Sequence, residues 1–253
     1  MSVKLVKFAR SLTLLCLALA GSAAPLAGQG GVASAAAKPK SGLSYASQNT
    51  SALPAIERFE YARSVGEAKG SLSIELARKS ERGKTWYELV THAPDEDGVY
   101  TLDPTNLALL RSDVTTRSAS TIIRRVTEVV EDKPVLAPDE LQISATEAFR
   151  QRIRLIRFEE KPVYSLTFQG SQAMPGFSLA LTVVGREKVE AGGRTWDCWR
   201  VEVGAKGVVG GLFGRSRYWY QAEWPHVLVK FEGPSSFPGS PQTRLELISY
   251  SAS

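Results

Sequence analysis

The stretch LALTVVGREKVEAGGRTWDCWRVEV, residues 179–203, sets the fold class. Leu179, Leu181 and Val183 begin an alternation that runs through Lys188 to a turn made of Glu190, Ala191, Gly192 and Gly193. The return run, Trp196 to Val203, puts Trp199, Val201 and Val203 on one side. A period of two on both sides of a double glycine marks a β-hairpin. Only a strand sends successive side chains to opposite faces, and glycine accepts the positive φ of a tight hairpin turn.

The same grammar recurs elsewhere. Leu72, Ile74 and Leu76 alternate with Ser71, Ser73 and Glu75, a turn follows at Glu81, Arg82, Gly83 and Lys84, and Trp86, Tyr87, Glu88, Leu89 and Val90 return. This is a hairpin with one face in water. Further strands are expected over residues 120–130, 163–168, 217–221, 227–232 and 244–250, each closed by Pro, Gly or charged turns. Short connections predict antiparallel pairing. The lack of an internal repeat of fixed period excludes propellers and solenoids.

One helix is signalled. Ser144, Ala145, Thr146 and Glu147 match a capping box, and Phe149, Ile153 and Ile156 follow at helical spacing. Arg150, Arg152, Arg154 and Arg157 fill the remaining positions and read as a solvated face. The expected architecture is mainly β: a curved antiparallel sheet or half-barrel, β-clam-like, with one short helix. Alternation leaves its closure open, because a barrel and a half-barrel share the pattern.

Composition and the N-terminus supply the address. The 253 residues are 43% hydrophobic and 23% charged, an ordinary globular balance. After the N-terminal run, no segment reaches the roughly 18 apolar residues that a spanning helix needs. Lys4, Lys7 and Arg10 precede an apolar run from Leu12 to Leu26, and Ala33, Ser34, Ala35 or Ala35, Ala36, Ala37 offer small side chains for cleavage. The expectation is a cleaved signal peptide over 1–37, a flexible linker over 38–54, and a single β-rich domain over 55–253, exported to the bacterial periplasm or secreted. An uncleaved anchor helix is the alternative. Leu14 and Leu15 before Cys16 are not the small residues that lipid modification needs, so Cys16 reads as part of the apolar run. Cys198 is then left without a disulfide partner. Losing Lys4, Lys7 and Arg10 takes the net charge from +5 to about +2, and no dense basic cluster remains, which excludes a nucleic-acid-tracking surface.

Catalytic patterns are missing. His92 and His226 are the only histidines, each beside a turn and neither near a nucleophile motif. The glycine-rich run 204–214 lacks the Gly-Lys-Ser/Thr ending of a phosphate loop. Asp95, Glu96, Asp97, Gly98 lacks the later Glu of a calcium loop, and Glu128, Glu131 and Asp132 read as an acidic turn. Two Cys and two His are too few for a closed zinc site. A non-enzymatic protein without metal or cofactor is expected.

Aromatic residues are the informative concentration. Trp196, Trp199, Trp219 and Trp224 fall close together with Phe213, Tyr218 and Tyr220. On the 217–221 strand Tyr218 and Tyr220 share one face and Trp219 takes the other. These rings serve either as core packing or, if the sheet is covered on one side only, as a groove for a hydrophobic ligand lined by Trp199, Tyr218, Tyr220, Trp196 and Trp219. Cys198 lies on the Trp196 face and reads as a small buried hydrophobe. Within 204–214, Val208, Val209, Leu212 and Phe213 make either a plain turn or an apolar tip that touches lipid or a protein partner.

GREKVEAGGRTWDCWRVEV (185–203), RYWYQAEWPHVLVKFEGP (217–234) and RLELISY (244–250) together resemble the bacterial family called domain of unknown function thirty-one-oh-eight. The resemblance rests on Gly185, Arg186 and Glu187, on Gly192 and Gly193, on Tyr218, Trp219 and Tyr220, on Pro225, on Leu228, Val229 and Lys230, and on Glu246 and Leu247. A short helix with an Arg-containing end, here 148–158, precedes this region, so that the resemblance spans residues 135–250. It implies an exported envelope protein with a half-barrel sheet, similar to clam-shaped carriers of lipids or lipoproteins, and brings no catalytic residues. The functional expectation is an envelope protein that binds a lipid or other hydrophobic ligand in its curved sheet. A structural or assembly module for protein partners is the alternative, and a hydrolase the third reading.

Overall fold

The alternating runs become thirteen strands in the computed structural model, which describes residues 50–128, 140–142, 146–160, 163–168, 177–205, 215–234 and 240–253. In chain order these are β1 (Ile56–Val65), β2 (Ala68–Glu81), β3 (Lys84–Ala93), β4 (Glu96–Leu102), β5 (Leu109–Arg117), β6 (Ile122–Glu128) and β7 (Glu140–Gln142). The helix α1 (Thr146–Ile153) follows, and then β8 (Val163–Phe168), β9 (Phe177–Ala191), β10 (Arg194–Ala205), β11 (Ser216–Gln221), β12 (Leu228–Pro234) and β13 (Gln242–Ala252). They form one sheet in the order β6-β5-β4-β3-β2-β1-β13-β12-β11-β10-β9-β8-β7. The expectation of a mainly β, antiparallel sheet with one short helix holds, and the sheet is open rather than closed, with β6 and β7 at its ends. One pairing departs from the expectation: β7 and β8 run parallel, joined through α1, which supplies the long crossover that parallel neighbours require.

Turn chemistry fixes the two hairpins first legible in the sequence. Arg82 and Gly83 have φ of 51° and 77°, and Gly192 and Gly193 have 60° and 74°. Two successive positive φ values are the type I′ turn, whose twist matches that of the flanking strands. The chain is thus two runs of neighbouring hairpins, β1–β6 and β8–β13, joined at the middle of the sheet by β1 and β13.

Register then aligns the apolar positions. Tyr61 stands opposite both Leu72 and Leu247, and Val201, Tyr218, Phe231 and Leu245 form a continuous row across four strands. Leu76, Leu89 and Tyr100 extend the same face on the other half. These residues, together with Phe149, Ile153, Leu155, Ile156 and Phe158, belong to one buried cluster. A sheet of thirteen strands shares one cluster with one eight-residue helix only by curving around it, so α1 lies inside the concavity. The opposite face carries ion pairs, among them Arg58–Glu75, Lys79–Glu88, Arg200–Glu187 and Arg244–Glu232.

The long hairpin β9–β10 does more than extend the sheet. Its tip reaches β13, which is not its pairing neighbour: a Cβ on Gly192 would come within 2.6 Å of the Leu247 carbonyl oxygen. Val189, Ala191, Trp196 and Cys198 are buried there, on the face opposite Val201 and Tyr218. Bulges at Arg200/Val201 and in β11–β12 at Trp219/Tyr220 supply the extra twist. Gly193→Ala is expected to cost about 1–2 kcal/mol, the left-handed backbone penalty alone, since nothing lies near its Cβ position. Gly192→Ala adds the collision with Leu247 and should cost about 1–3 kcal/mol more, measured by urea unfolding.

Candidate functional site

The concave face and the helix in it form the candidate site. Helix α1 buries Ala148, Phe149, Arg150, Gln151 and Ile153, and the turn beyond it buries Arg154, Leu155, Ile156 and Phe158. The expected solvated arginine face is therefore corrected: Arg150 and Arg154 point into the protein, and Arg154 is the largest fully buried side chain. The physical reason is the shortness of the helix within a curved sheet, which surrounds it on more than the Phe149/Ile153 stripe.

Arg154 is engaged through all three of its nitrogens. Its two terminal nitrogens donate to the two carboxylate oxygens of Glu57 at 3.0 and 2.8 Å, its Nε donates to the Pro225 carbonyl at 2.9 Å, and Nη1 also donates to Gln151 Oε1 at 3.0 Å. The Tyr250 hydroxyl donates to Glu57 at 2.8 Å. Glu57 and Tyr250 sit on β1 and β13, so this network ties α1 to the line where the two halves of the sheet meet. A paired, bidentate and fully hydrogen-bonded charge is the form in which burial is tolerated. Arg154→Met is expected to destabilise the fold by about 3–5 kcal/mol, because Glu57 stays buried without its cation. The Arg154→Met, Glu57→Leu double substitution should recover most of that loss in the same urea titration.

The first turn of α1 is less completely satisfied. Arg150 forms an ion pair with Glu147 and its guanidinium lies 4.4 Å from the centre of the Phe231 ring, yet Arg150 Nε and Glu147 Oε2 are buried without hydrogen-bond partners among the described residues. Across from them on β4, burial and the charges of Glu147 and Asp95 push the Glu96 carboxyl above the usual carboxylate range. Asp95 moves the opposite way, because Arg63 donates to it through both terminal nitrogens. A raised folded-state value means that Glu96 contributes stability when protonated, below its unfolded-state value, and that this contribution is lost as pH rises through the folded-state value. Glu96→Gln should therefore raise the urea midpoint at pH 7 and change it little at pH 3.

The aromatic residues singled out in the sequence divide between two surroundings. Trp199, Tyr218 and Tyr220 face the concavity and are buried beneath the helical segment. Phe158 stacks on Trp199 and Tyr220 at 6.3 and 5.6 Å between ring centres, Phe149 meets Tyr218 edge-on, and the Tyr220 hydroxyl donates to the Arg150 carbonyl at 2.8 Å. Trp199 Nε1 is buried without a hydrogen-bond partner among the described residues. Trp196 and Trp219 lie on the other face, as alternation requires. The Arg194 guanidinium lies 3.5 Å from the Trp196 ring centre, and Lys230 lies 5.2 Å from that of Trp219. The five residues do not line one groove. Cys198 is buried, with its thiol pushed up to about 12 by desolvation first.

Other candidates find ordinary partners. His92 bonds to Asp97 at 3.0 Å in an exposed position, and His226 Nδ1 lies 3.0 Å from the Gln221 carbonyl, its basicity lowered by burial. Among the described residues no group of three or more His, Cys, Asp or Glu is placed to hold a metal, and no helix is long and apolar enough to cross a membrane. Val208, Val209, Leu212 and Phe213 lie outside the described residues, as do Ser144 of the capping box, Glu131, Asp132 and the region 1–49 that contains the expected signal peptide.

Sequence reading missed Glu57, Gln151, Arg154 and Tyr250 as a unit. One signal was available: Glu57 occupies the same alternating face as Phe59 and Tyr61, a core-facing position that a carboxylate takes only with a partner.

The fold and site define an open, curved antiparallel β protein with one internal helix. No family model matches the chain, that of domain of unknown function thirty-one-oh-eight included, and no curated protein matches it. Among solved structures it is similar to a β-barrel-like protein of domain of unknown function DUF1849 from Brucella abortus, with 10% identity and a TM-score of 0.43 over 79% of this chain and 99% of that one. It is also similar to the hypothetical lipoprotein YmcC from Escherichia coli (10% identity, TM-score 0.34, 79% of this chain and 88% of that one). A DUF1329 family protein from Desulfovibrio piger gives 11% identity and a TM-score of 0.29, covering 79% of this chain and 86% of that one. Likenesses this distant carry nothing about ligand or activity, so the functional reading rests on the residues of this chain.

Proposed function

We propose that this is an exported, non-enzymatic protein of the bacterial cell envelope that takes up a lipid or other hydrophobic ligand on the concave face of β10–β12, where Trp199, Tyr218 and Tyr220 lie, by displacing α1. The observation that carries the proposal is the mismatch between the helix and what it covers. The covered face is aromatic and aliphatic, with Trp199, Val201, Tyr218, Tyr220 and Phe231 in adjoining registers. The helix turns Arg150 and Gln151 inward beside Phe149 and Ile153, the turn after it adds Arg154, and directional polar bonds fix the segment in place. A buried ion pair positions an element firmly while adding little net stability over an apolar contact of similar volume. An acyl chain in the same place would gain roughly 25 cal/mol for each Å² of apolar surface removed from water. Export is supported by Lys4, Lys7 and Arg10 ahead of the apolar run 12–26.

The test is native mass spectrometry with lipid extraction on the full chain, expressed with export and purified without detergent, followed by titration of a fluorescent fatty acid. A stoichiometric lipid, or saturable probe uptake, is expected. Arg154→Lys keeps the charge but gives up the paired geometry at Glu57, and should increase uptake. Trp199→Ala should lower uptake more than it lowers thermal stability. Absence of uptake in both the native chain and Arg154→Lys overturns the proposal, and equal loss of uptake and stability in Trp199→Ala reduces that ring to a core role.

A further inference from the structure

The sheet ends on β6, and this strand is exposed along its whole length. All seven residues are solvent-accessible, including Ile122 (71%), Ile123 (55%) and Val126 (48%). β6 pairs with β5 on one side and, among the described residues, has no strand on the other. An open edge presents a row of unpaired amide and carbonyl groups, and natural sheets ordinarily keep such edges short, charged or covered. On the same face Val126 stands opposite Asp113, Asp113 opposite Val99, and Val99, itself 44% exposed, opposite Val90, so that the apolar positions of this row are broken by one carboxylate.

Charge selects the occupant. Arg124 is occupied by Asp113, and Glu128 by Arg111. Arg125 has no ion pair with any described residue and extends from the concave side of the strand, in register with Val114 and Gly98. A second copy fits poorly. Antiparallel pairing of β6 with itself, centred on the strand, sets Arg125 against Arg125 or Arg124, and like charges directly opposite are destabilising.

We infer that β6 is a docking edge for an extended segment of another protein, one that alternates aliphatic and acidic residues and adds to the sheet as a fourteenth strand. Backbone hydrogen bonds supply the general affinity, the aliphatic side chains fall on the Val126 face, and the acidic ones fall on the face shared by Ile123 and Arg125, where the one opposite Arg125 fixes register. The arginines also keep the edge from pairing with its own kind, the use natural sheets make of edge charge. This inference is independent of any ligand on the concave face, because β6 and α1 share no contact in the buried cluster.

The test titrates the full chain into two labelled heptapeptides, TVEIEVT and TVKIKVT, followed by fluorescence anisotropy. The acidic peptide is expected to bind, more weakly as salt rises, and at least about tenfold more tightly than the basic one. Arg125→Glu should invert that preference while leaving the thermal melt in place, since the side chain makes no ion pair with any described residue. Ile123→Asp should weaken binding of the acidic peptide. Equal binding of the two peptides, no binding of the acidic one, or a wild-type dimer lost on Arg125→Glu would each overturn the inference.

Discussion

The hydrogen bonds between β1 and β13 join the beginning and the end of the described chain, and the remaining architecture is built outward from them. Every other antiparallel neighbour in the sheet follows its partner in sequence, so β1–β6 and β8–β13 can form locally, hairpin by hairpin. Each run alone has one apolar face and nothing with which to cover it. Only when Ile56 and Ser253 exchange backbone hydrogen bonds do the two faces become one concavity deep enough to enclose a helix. The loop-closure entropy of that pairing comes before its reward, which places it late in any folding sequence built from local contacts.

The same seam explains why the internal helix is polar. Glu57 and Tyr250 stand on the two strands that meet there, 193 positions apart in sequence, and Arg154 reaches both the carboxylate they share and the Pro225 carbonyl. An apolar helix would slide within an aromatic trough, because dispersion contacts are similar in neighbouring registers. A bidentate guanidinium has one acceptable position. The network therefore acts as a register lock for α1, at a small net gain in stability.

How much of this was legible follows from the range of the interactions. The hairpins at 82–83 and 192–193 were readable because a type I′ turn and a period of two are both local properties. The division of Trp219 from Tyr218 and Tyr220 was readable for the same reason, and the family resemblance added only the expectation of a half-barrel that alternation already allowed. The fate of the helix arginines was not legible. Positions 150 and 154 form a stripe beside 149 and 153, and whether that stripe meets water depends on how far a sheet two hundred residues long curls around it. The curl of the β9–β10 tip onto β13 is likewise invisible locally, although Gly192 and Gly193 look alike in sequence: only the fold shows that one abuts a carbonyl and the other abuts nothing.

The open sheet has a final consequence in the asymmetry of its ends. A closed barrel would consume both edge strands, and the aromatic half would then face a fixed interior. Here the β1–β6 half ends in a strand whose side chains are wet on both faces, while the other half ends in the short parallel strand β7, placed just before α1 in the chain. Whatever moves α1 acts on the segment that carries β7, and whatever adds to β6 acts at the far end of the same sheet. In β4, two strands in from the β6 edge, Glu96 faces the first turn of α1 as its neighbour Asp97 pairs with Arg117 on β5. The inward-facing Glu96 and the outward-paired Asp97 thus sit side by side, one answering to the helix and the other to β5, as the alternation of a strand requires.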